Sequence, residues 1–375
     1  MKRPATRRFF RTVTCILLFV GLAACDLAVD DLNNPSVSEI TSAPTRLDIA
    51  TATQGLFRTT RTNVGEMVQW MGAFGREGYP MSQTGASLTG TVINPLNGGN
   101  FPGTTLWETP FRNIRNANFL LQSLERVTGR GLTAEEQEGV RGAAKTIQAY
   151  DYLNLILSRD KFGIPLDVDR DPNGEPAPIE TREAAYNRVA TLLDEAQGHL
   201  ENAGSAFAFG VPSGLEDFDT PASFLTLNRA LRARVAVYRE EWTTALDVLG
   251  DSFLDDTGPL DAGAYHVFTT QSGDETNPLN RPDFLYAHPR LKSQAQQQEN
   301  GDLDLRAQEK LRDVATLTVS GVTSDVQFTL YSAPTAPIPW VKNEELILLR
   351  AEAHIGLEQY EEAESDINLI RETSG

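Results

Sequence analysis

The most specific chemical pattern in this 375-residue chain is Asp169-x-Asp171-x-Asn173-Gly174-x5-Glu180. Oxygen ligands at alternating positions, a glycine for the sharp turn and a closing glutamate with two oxygens are what a calcium loop requires. Asp169, Asp171, Asn173 and Glu180 are therefore candidate ligands of a structural calcium, and no other cofactor is expected. The context departs from a helix–loop–helix site. Pro176 stands where an aliphatic residue normally sits, and Gly163 and Pro165 break the entering segment. The alternative is an acidic, solvated loop. Signatures of catalysis are missing from the sequence: there is no His-Glu-x-x-His, no phosphate-binding loop, no Gly-x-Gly-x-x-Gly after a strand and no Gly-x-Ser-x-Gly elbow. His199, His266, His288 and His354 are scattered, and none has a second ligand four residues away. Carboxylates are abundant, but no spacing marks a glycosidase pair. The expectation is a protein that is not an enzyme.

Charge narrows the classes further. With 33 Lys and Arg against 51 Asp and Glu, the formal charge is -18 and the pI near 4.7. No clustered basic stretch exists outside the extreme N-terminus, so nucleic acid is excluded as a partner, because phosphate contacts need a basic face. Two cysteines make neither a disulfide framework nor a Cys-rich zinc site. The N-terminus carries Lys2, Arg3, Arg7, Arg8 and Arg11 and then an almost unbroken apolar run over 13–23. That run is shorter than the roughly 20 residues a membrane span needs and reads as a secretory signal peptide. Leu22-Ala23-Ala24-Cys25 resembles the bacterial lipobox, which implies cleavage before Cys25, lipid on its sulfur and departure of Cys15 with the signal. An ordinary signal peptide with an incidental cysteine is the alternative. Residues 1–24 are thus a lipoprotein signal peptide, 25–46 a lipidated N-terminus and linker, and 47–375 a single helical domain that meets the membrane only through its lipid. Acidic Asp26, Asp30 and Asp31 behind the cysteine resemble the surface-export signal of Bacteroidetes-type lipoproteins, whereas under the enterobacterial rule Asp26 directly after the cysteine favours inner-membrane retention.

The elements that must position any site are mostly helices. Apolar residues recur at helical spacing over 47–74, with Leu56, Phe57, Met67, Trp70 and Phe74, and again from Trp107 to Leu124. Thr133-Ala134-Glu135-Glu136 is a capping box that opens a helix to about Ser158, and Thr181 caps a helix over 182–200. A helical pair covers 225–249, and Asn343 is expected to cap a final pair, with Glu344 and Glu345 on the helix dipole. The stretches 79–106 and 251–335 are loop-rich, with short strands expected at 316–322 and 326–331.

The two helical pairs resemble each other. Ala233, Trp242, Ala245 and Leu249 match Ala351, Tyr360, Ala363 and Ile367 at one offset of 118 residues. Twelve residues from alanine to alanine, with an aromatic three before the second, is the tetratricopeptide spacing. Small side chains let two antiparallel helices approach, and such hairpins stack by burying faces they cannot bury alone. The fold expected is mainly α, a tetratricopeptide-like helix-turn-helix scaffold with long loops and a few short strands.

Several motifs in order resemble the SusD/RagB family. They are the lipobox, Trp107-x3-Phe111-x2-Ile114-x2-Ala117-Asn118-x2-Leu121, and Tyr152 through Phe162-Gly163-Ile164-Pro165-Leu166. Phe218-Asp219-Thr220-Pro221 before Asn228-Arg229-Ala230-Leu231, Asp304-x-Arg306, and Pro339-Trp340 leading to Glu345-Leu346-x2-Leu349-x-Ala351-Glu352-Ala353 complete the series. The resemblance implies an outer-membrane lipoprotein that faces the cell surface, captures oligosaccharide or another nutrient, and passes it to a TonB-dependent SusC-like transporter. It also implies a segment beyond the last helical pair, with Glu-Arg-Arg and Phe-Glu-Gly-x-Arg, which this chain is expected to lack. The other readings are an envelope helical-repeat scaffold without small-molecule ligand and a lipid-anchored glycoside hydrolase.

Sugars present C–H faces and hydroxyl rims, so a sugar site needs exposed aromatic rings beside polar groups in a concave, loop-built surface. The loop stretches 75–106 and 261–300 carry Tyr79, Phe101, Tyr265, Phe284 and Tyr286 with Arg76, Glu77, Asn97, Asn100 and Arg281. Tyr79 and Tyr286 are expected to lead the ligand face, with Phe101, Arg76 and Asn100. Trp70, Trp107 and Trp242 lie on helical periodicity and are expected in the core.

Overall fold

Thr133 accepts a hydrogen bond from the Glu136 amide at 3.2 Å, and Glu136 accepts one from the Thr133 amide at 2.9 Å, so the expected capping box starts the longest helix. The computed structural model describes residues 43–81, 103–127, 131–159, 161–170, 174–282 and 284–374. The expected signal peptide, Cys25, Asn100, Phe101, Asp171 and Asn173 lie outside them. In chain order the helices relevant here are α1 (Arg46–Thr62), α2 (Val64–Phe74), α3 (Gly103–Ser123), α4 (Ala134–Leu157), α5 (Arg182–Glu201), α6 (Pro221–Tyr238) and α7 (Trp242–Gly250). Short α8 (Arg290–Ser293) and α9 (Leu305–Lys310) precede α10 (Asn343–Gly356) and α11 (Tyr360–Ser374). The strands are β1 (Gly78–Pro80), β2 (Gly263–His266), β3 (Leu285–Ala287), β4 (Leu311–Val319), β5 (Val322–Phe328) and β6 (Ile338–Lys342), paired antiparallel as β1–β3, β2–β6 and β4–β5. The architecture is the expected mainly helical one. Among the described residues no helix is long and apolar enough to cross a membrane.

Helix α4 is the axis of the core. It packs against α3 and α5, and also touches α1 and α6. A helix buried on nearly every side must also satisfy its polar side chains there. Asn113 Nδ2 donates to Asp151 Oδ2 at 2.7 Å, Gln148 Nε2 to the Ile114 carbonyl at 3.2 Å, and Asn228 Nδ2 to Thr146 Oγ1 at 2.8 Å. Burial pushes the Asp151 carboxyl well above the usual range. The α4–α5 contact is close because Gly142 has no side chain: a Cβ there would stand 2.5 Å from Leu200 Cγ. Glu136 has a second duty, since Arg46 at the start of α1 reaches it through Nη1 at 2.6 Å.

The repeat read from spacing is real in three dimensions. Glu240 and Glu358, again 118 apart, both adopt left-handed backbone, at φ 59° and 61°. Around the first, the Glu240 amide donates to Val237 O and Glu241 to Ala236 O; around the second, Glu358 donates to Ile355 O and Gln359 to His354 O. Both hairpins thus turn by the same two-bond helix terminator. Ala233 and Ala351 are buried where helices cross. The hairpins stack, because Trp242 lies over Gly356, where a Cβ would meet its ring at 2.4 Å.

Two expectations need correction. Lys342, not Asn343, is the cap residue of α10. Asn343 is instead a buried pin: its amide donates to the Asp255 carbonyl at 2.6 Å and its Oδ1 accepts from the Asp255 amide at 2.9 Å. The hairpin strands run earlier than expected because the turn is Ser320-Gly321, with φ of 53° and 84°, the double left-handed conformation that two-residue hairpins favour. The periodic stretch 47–74 is two helices joined at Asn63.

Candidate functional site

The C-terminus of α2 sets the geometry of one cavity among the described residues. Arg76 lies in the left-handed region at φ 59°, its amide donates to Ala73 O at 3.2 Å, and the Glu77 amide donates to Gly72 O at 2.9 Å. This is a Schellman terminator with arginine where glycine is the usual residue. It swings the chain out of α2 and into β1. The Met81 amide donates to Phe284 O and His288 to Glu77 O, which continue the ladder beyond the β1–β3 register of Gly78 with Ala287, Tyr79 with Tyr286 and Pro80 with Leu285. Ser324 Oγ of β5 donates to the Ala287 carbonyl at 2.7 Å and docks the β4–β5 hairpin onto β3. Gly78 allows a close approach, as a Cβ there would be 3.2 Å from the Phe328 ring.

Between these parts lies a cavity of about 650 Å³. One wall is Val68, Met71 and Gly72 of α2 with Gly75 and Glu77 of the terminator. A second is Leu279, Asn280, Arg281, Pro282 and Leu285. The third is Arg312, Phe328, Leu330 and Tyr331 of the β4–β5 hairpin and the turn after it. Both loop stretches singled out from sequence contribute. The size falls in the range of small-molecule sites. Arg281 lies 4.2 Å from the centre of the Phe284 ring, and Arg312 Nη2 donates to Gln327 Oε1 at 2.8 Å. Gln327 is buried and donates in turn to the Pro282 carbonyl. Asn280 Nδ2 donates to the Tyr331 carbonyl at 2.7 Å.

The sequence-selected residues fall unevenly around it. Arg76 is exposed beside two lining residues. Tyr286 is half-buried. Tyr79, expected as an exposed contact, is only 6% exposed, with its ring 5.6 Å from His288. It is a packing anchor in this structure, because the ladder turns its ring against the diagonal neighbour on β3's continuation. Asn100 and Phe101 lie outside the described residues. Arg312, Phe328 and Tyr331 are lining residues that the sequence reading did not single out. The apolar and polar alternation of 322–328 marks a strand, but nothing local says which cavity it borders.

A second cavity, of about 450 Å³, sits between α1 and the loops at 210–215 and 267–274. Its walls are pinned to α1: Gln54 Nε2 donates to Gly210 O at 3.2 Å, Arg58 Nη2 to Gly273 O at 2.8 Å and Arg61 Nη1 to Val267 O at 2.6 Å. Arg61 also pairs with Asp274, whose carboxyl this hydrogen bond brings down to about 2. At its base His266 stacks on Trp340 at 5.4 Å and meets the Tyr150 hydroxyl at 3.3 Å. Burial, and then the charge of Arg61, bring the imidazole down to about 3, so it is neutral at physiological pH.

For the calcium pattern, Asp169 Oδ1 accepts from Asn118 Nδ2 at 2.7 Å. The Glu180 amide donates to Ile164 O at 3.0 Å, and Pro165 pairs with Ile179 as an antiparallel bridge. The described ends of the segment are thus bridged to each other outside any helix. Among the described residues no group of three or more metal-ligating side chains converges.

No protein-family model and no curated protein matches the sequence. Solved structures do. A SusD-like carbohydrate binding protein from Bacteroides vulgatus aligns at TM-score 0.63 and 16% identity, over 88% of this chain and 75% of that one. One from Bacteroides fragilis aligns at TM-score 0.64 and 11% identity, over 89% and 79%. A laminarin binding SusD-like protein aligns at TM-score 0.60 and 16% identity, over 89% and 85%. At such identities what is shared is architecture, and the chain has the SusD-like fold.

Proposed function

We propose that the protein captures an oligosaccharide and does no chemistry on it. The observation that carries this reading is the 650 Å³ cavity built by two loop stretches and a hairpin on the helical scaffold, with Phe328 and Tyr331 beside Arg281, Arg312 and Asn280. Aromatic faces for C–H surfaces next to hydrogen-bonding side chains are what a sugar site needs. The structural neighbours described as carbohydrate or laminarin binding support the same assignment. Binding of the purified chain to a glycan array tests it, with Arg312→Ala and Tyr331→Ala as controls. A flat array would refute capture, and release of new reducing ends would refute the absence of catalysis.

The lipobox-like Leu22-Ala23-Ala24-Cys25 supports a lipid anchor at Cys25 in the outer membrane, with the body at the cell surface. In that setting the captured glycan passes to a TonB-dependent SusC-like transporter. Crosslinking in intact membranes followed by identification of the partner tests this step; recovery without any barrel protein would argue against it. The second reading, an envelope scaffold, is favoured by one feature. Leu348 and Ile355 of α10 and Tyr360 and Ile367 of α11 expose apolar surface on the last hairpin. Protection of the protein from protease added to intact cells would favour that reading.

A further inference from the structure

We infer that the glycan is anionic, bearing carboxylates or sulfate esters that Arg281 and Arg312 receive; this rests on the reading of the 650 Å³ cavity as a glycan site. Several arginines elsewhere are fixed by carboxylates: Arg61 by Asp274, Arg232 by Asp194, Arg234 by Glu345 and Arg350 by Asp256 and Asp366. Acids outnumber bases 51 to 33, so carboxylate partners are plentiful. At the cavity the partners of both lining arginines are neutral. Arg281 is oriented by the face of Phe284 at 4.2 Å, and Arg312 by the neutral amide of Gln327 at 2.8 Å. Gln327 is itself locked to the carbonyl of Pro282, the residue after Arg281, so one buried amide ties the two cationic walls together. Both guanidinium groups are positioned without being neutralised by any described residue.

The remaining surroundings keep that charge available. Among the described lining residues Glu77 is the one carboxylate, against two arginines. Arg76 adds a third guanidinium next to lining residues Gly75 and Glu77. A planar fork matches a carboxylate or sulfate through two parallel hydrogen bonds, which a hydroxyl cannot supply. The molecule as a whole, at -18, repels anions, so an acidic glycan can be held only where positive charge is left locally uncompensated.

The test compares matched probes by calorimetry: oligogalacturonate against its carboxyl-reduced form, and dextran sulfate against dextran. Binding of an acidic probe, at least tenfold tighter than its neutral counterpart and weakened by salt, is expected, and the arm that binds distinguishes carboxylate from sulfate. Arg281→Gln and Arg312→Gln should each weaken it about tenfold with the thermal melt unchanged, since both side chains are exposed. Asp283 follows Pro282 in sequence and lies outside the described residues; Asp283→Asn should leave the affinity equal or higher. Equal binding of the neutral counterparts, binding of neutral glycans alone, or indifference to both arginine substitutions would overturn the anionic inference and leave glycan capture standing. Binding of neither the probes nor any glycan on an array would overturn both.

Discussion

Tyr79 and Tyr286 stand directly opposite one another in the β1–β3 ladder, yet only Tyr286 retains appreciable exposure. Two residues selected from separate loops for the same chemistry meet across one pair of strands, and the ladder divides their roles. The tyrosine nearer α2 is packed on His288, and its partner is left at the surface. Replacing Tyr79 with alanine should destabilise the fold by about 3 kcal/mol, as large-to-small changes in packed sites do. Tyr286→Ala should cost less than about 1.5 kcal/mol. Denaturant unfolding of the two variants checks the order, and equal midpoints would contradict the assignment of Tyr79 as an anchor.

Arg76 holds a backbone conformation that costs a non-glycine residue about 1 kcal/mol or more. Strain of this kind at a cavity edge points to a role for the side chain. Arg76→Gly should therefore stabilise the protein by about 1 kcal/mol and weaken glycan binding. A variant that is more stable and binds as well as the parent would show that the arginine has no part in capture.

The tetratricopeptide-like contacts are tested at Ala233 and Ala351, which have 0% and 3% exposure. Leucine at either site overpacks a helix crossing and should cost about 1–3 kcal/mol. Circular dichroism should remain helical in both variants while the melting midpoint falls.

His266 makes the protein sensitive to acid. Its folded-state pKa is depressed to about 3, by burial first and the Arg61 charge second, against about 6.5 when unfolded. Below pH 6.5 the unfolded chain takes up a proton that the folded one refuses. Stability should fall as pH drops from 6.5 towards 3, with a slope approaching about 1.4 kcal/mol per pH unit from this group. His266→Gln should flatten the stability curve in that window, whatever its effect on stability at pH 8. An unchanged slope would mean the imidazole ionises in the folded state.

Cys25 is expected to carry the lipid. Cys25→Ser should give unprocessed precursor or water-soluble protein and no incorporation of labelled fatty acid. Normal partitioning of the serine variant into detergent would place the anchor elsewhere.

What could be read along the chain was the part of the structure held by short-range bonds. The Thr133–Glu136 box and the Thr181 cap couple residues three apart, so the side-chain types and their spacing suffice. The hairpin repeat was legible for a related reason: the same small and aromatic residues recur at one offset because the same contact is built twice, down to Glu240 and Glu358 in identical turns. Asn343 shows where that logic fails. It has the residue type and position of a cap, but its amide was taken by Asp255, a partner brought by the loop after α7.

The cavity belongs wholly to that second class. Strands of three residues such as β1 and β3 have no periodicity to announce them, and their pairing depends on closing a chain segment of some two hundred residues. Sequence by itself determined a mainly helical scaffold, its repeat, and the two loop stretches that would carry a site. Only the tertiary structure decided that Tyr79 is buried and Tyr286 is not, and that Arg312 and Phe328 join Arg281 on one cavity. The reason is physical: a cap is satisfied within a turn of helix, whereas a concave wall exists only once distant segments have been packed against one another.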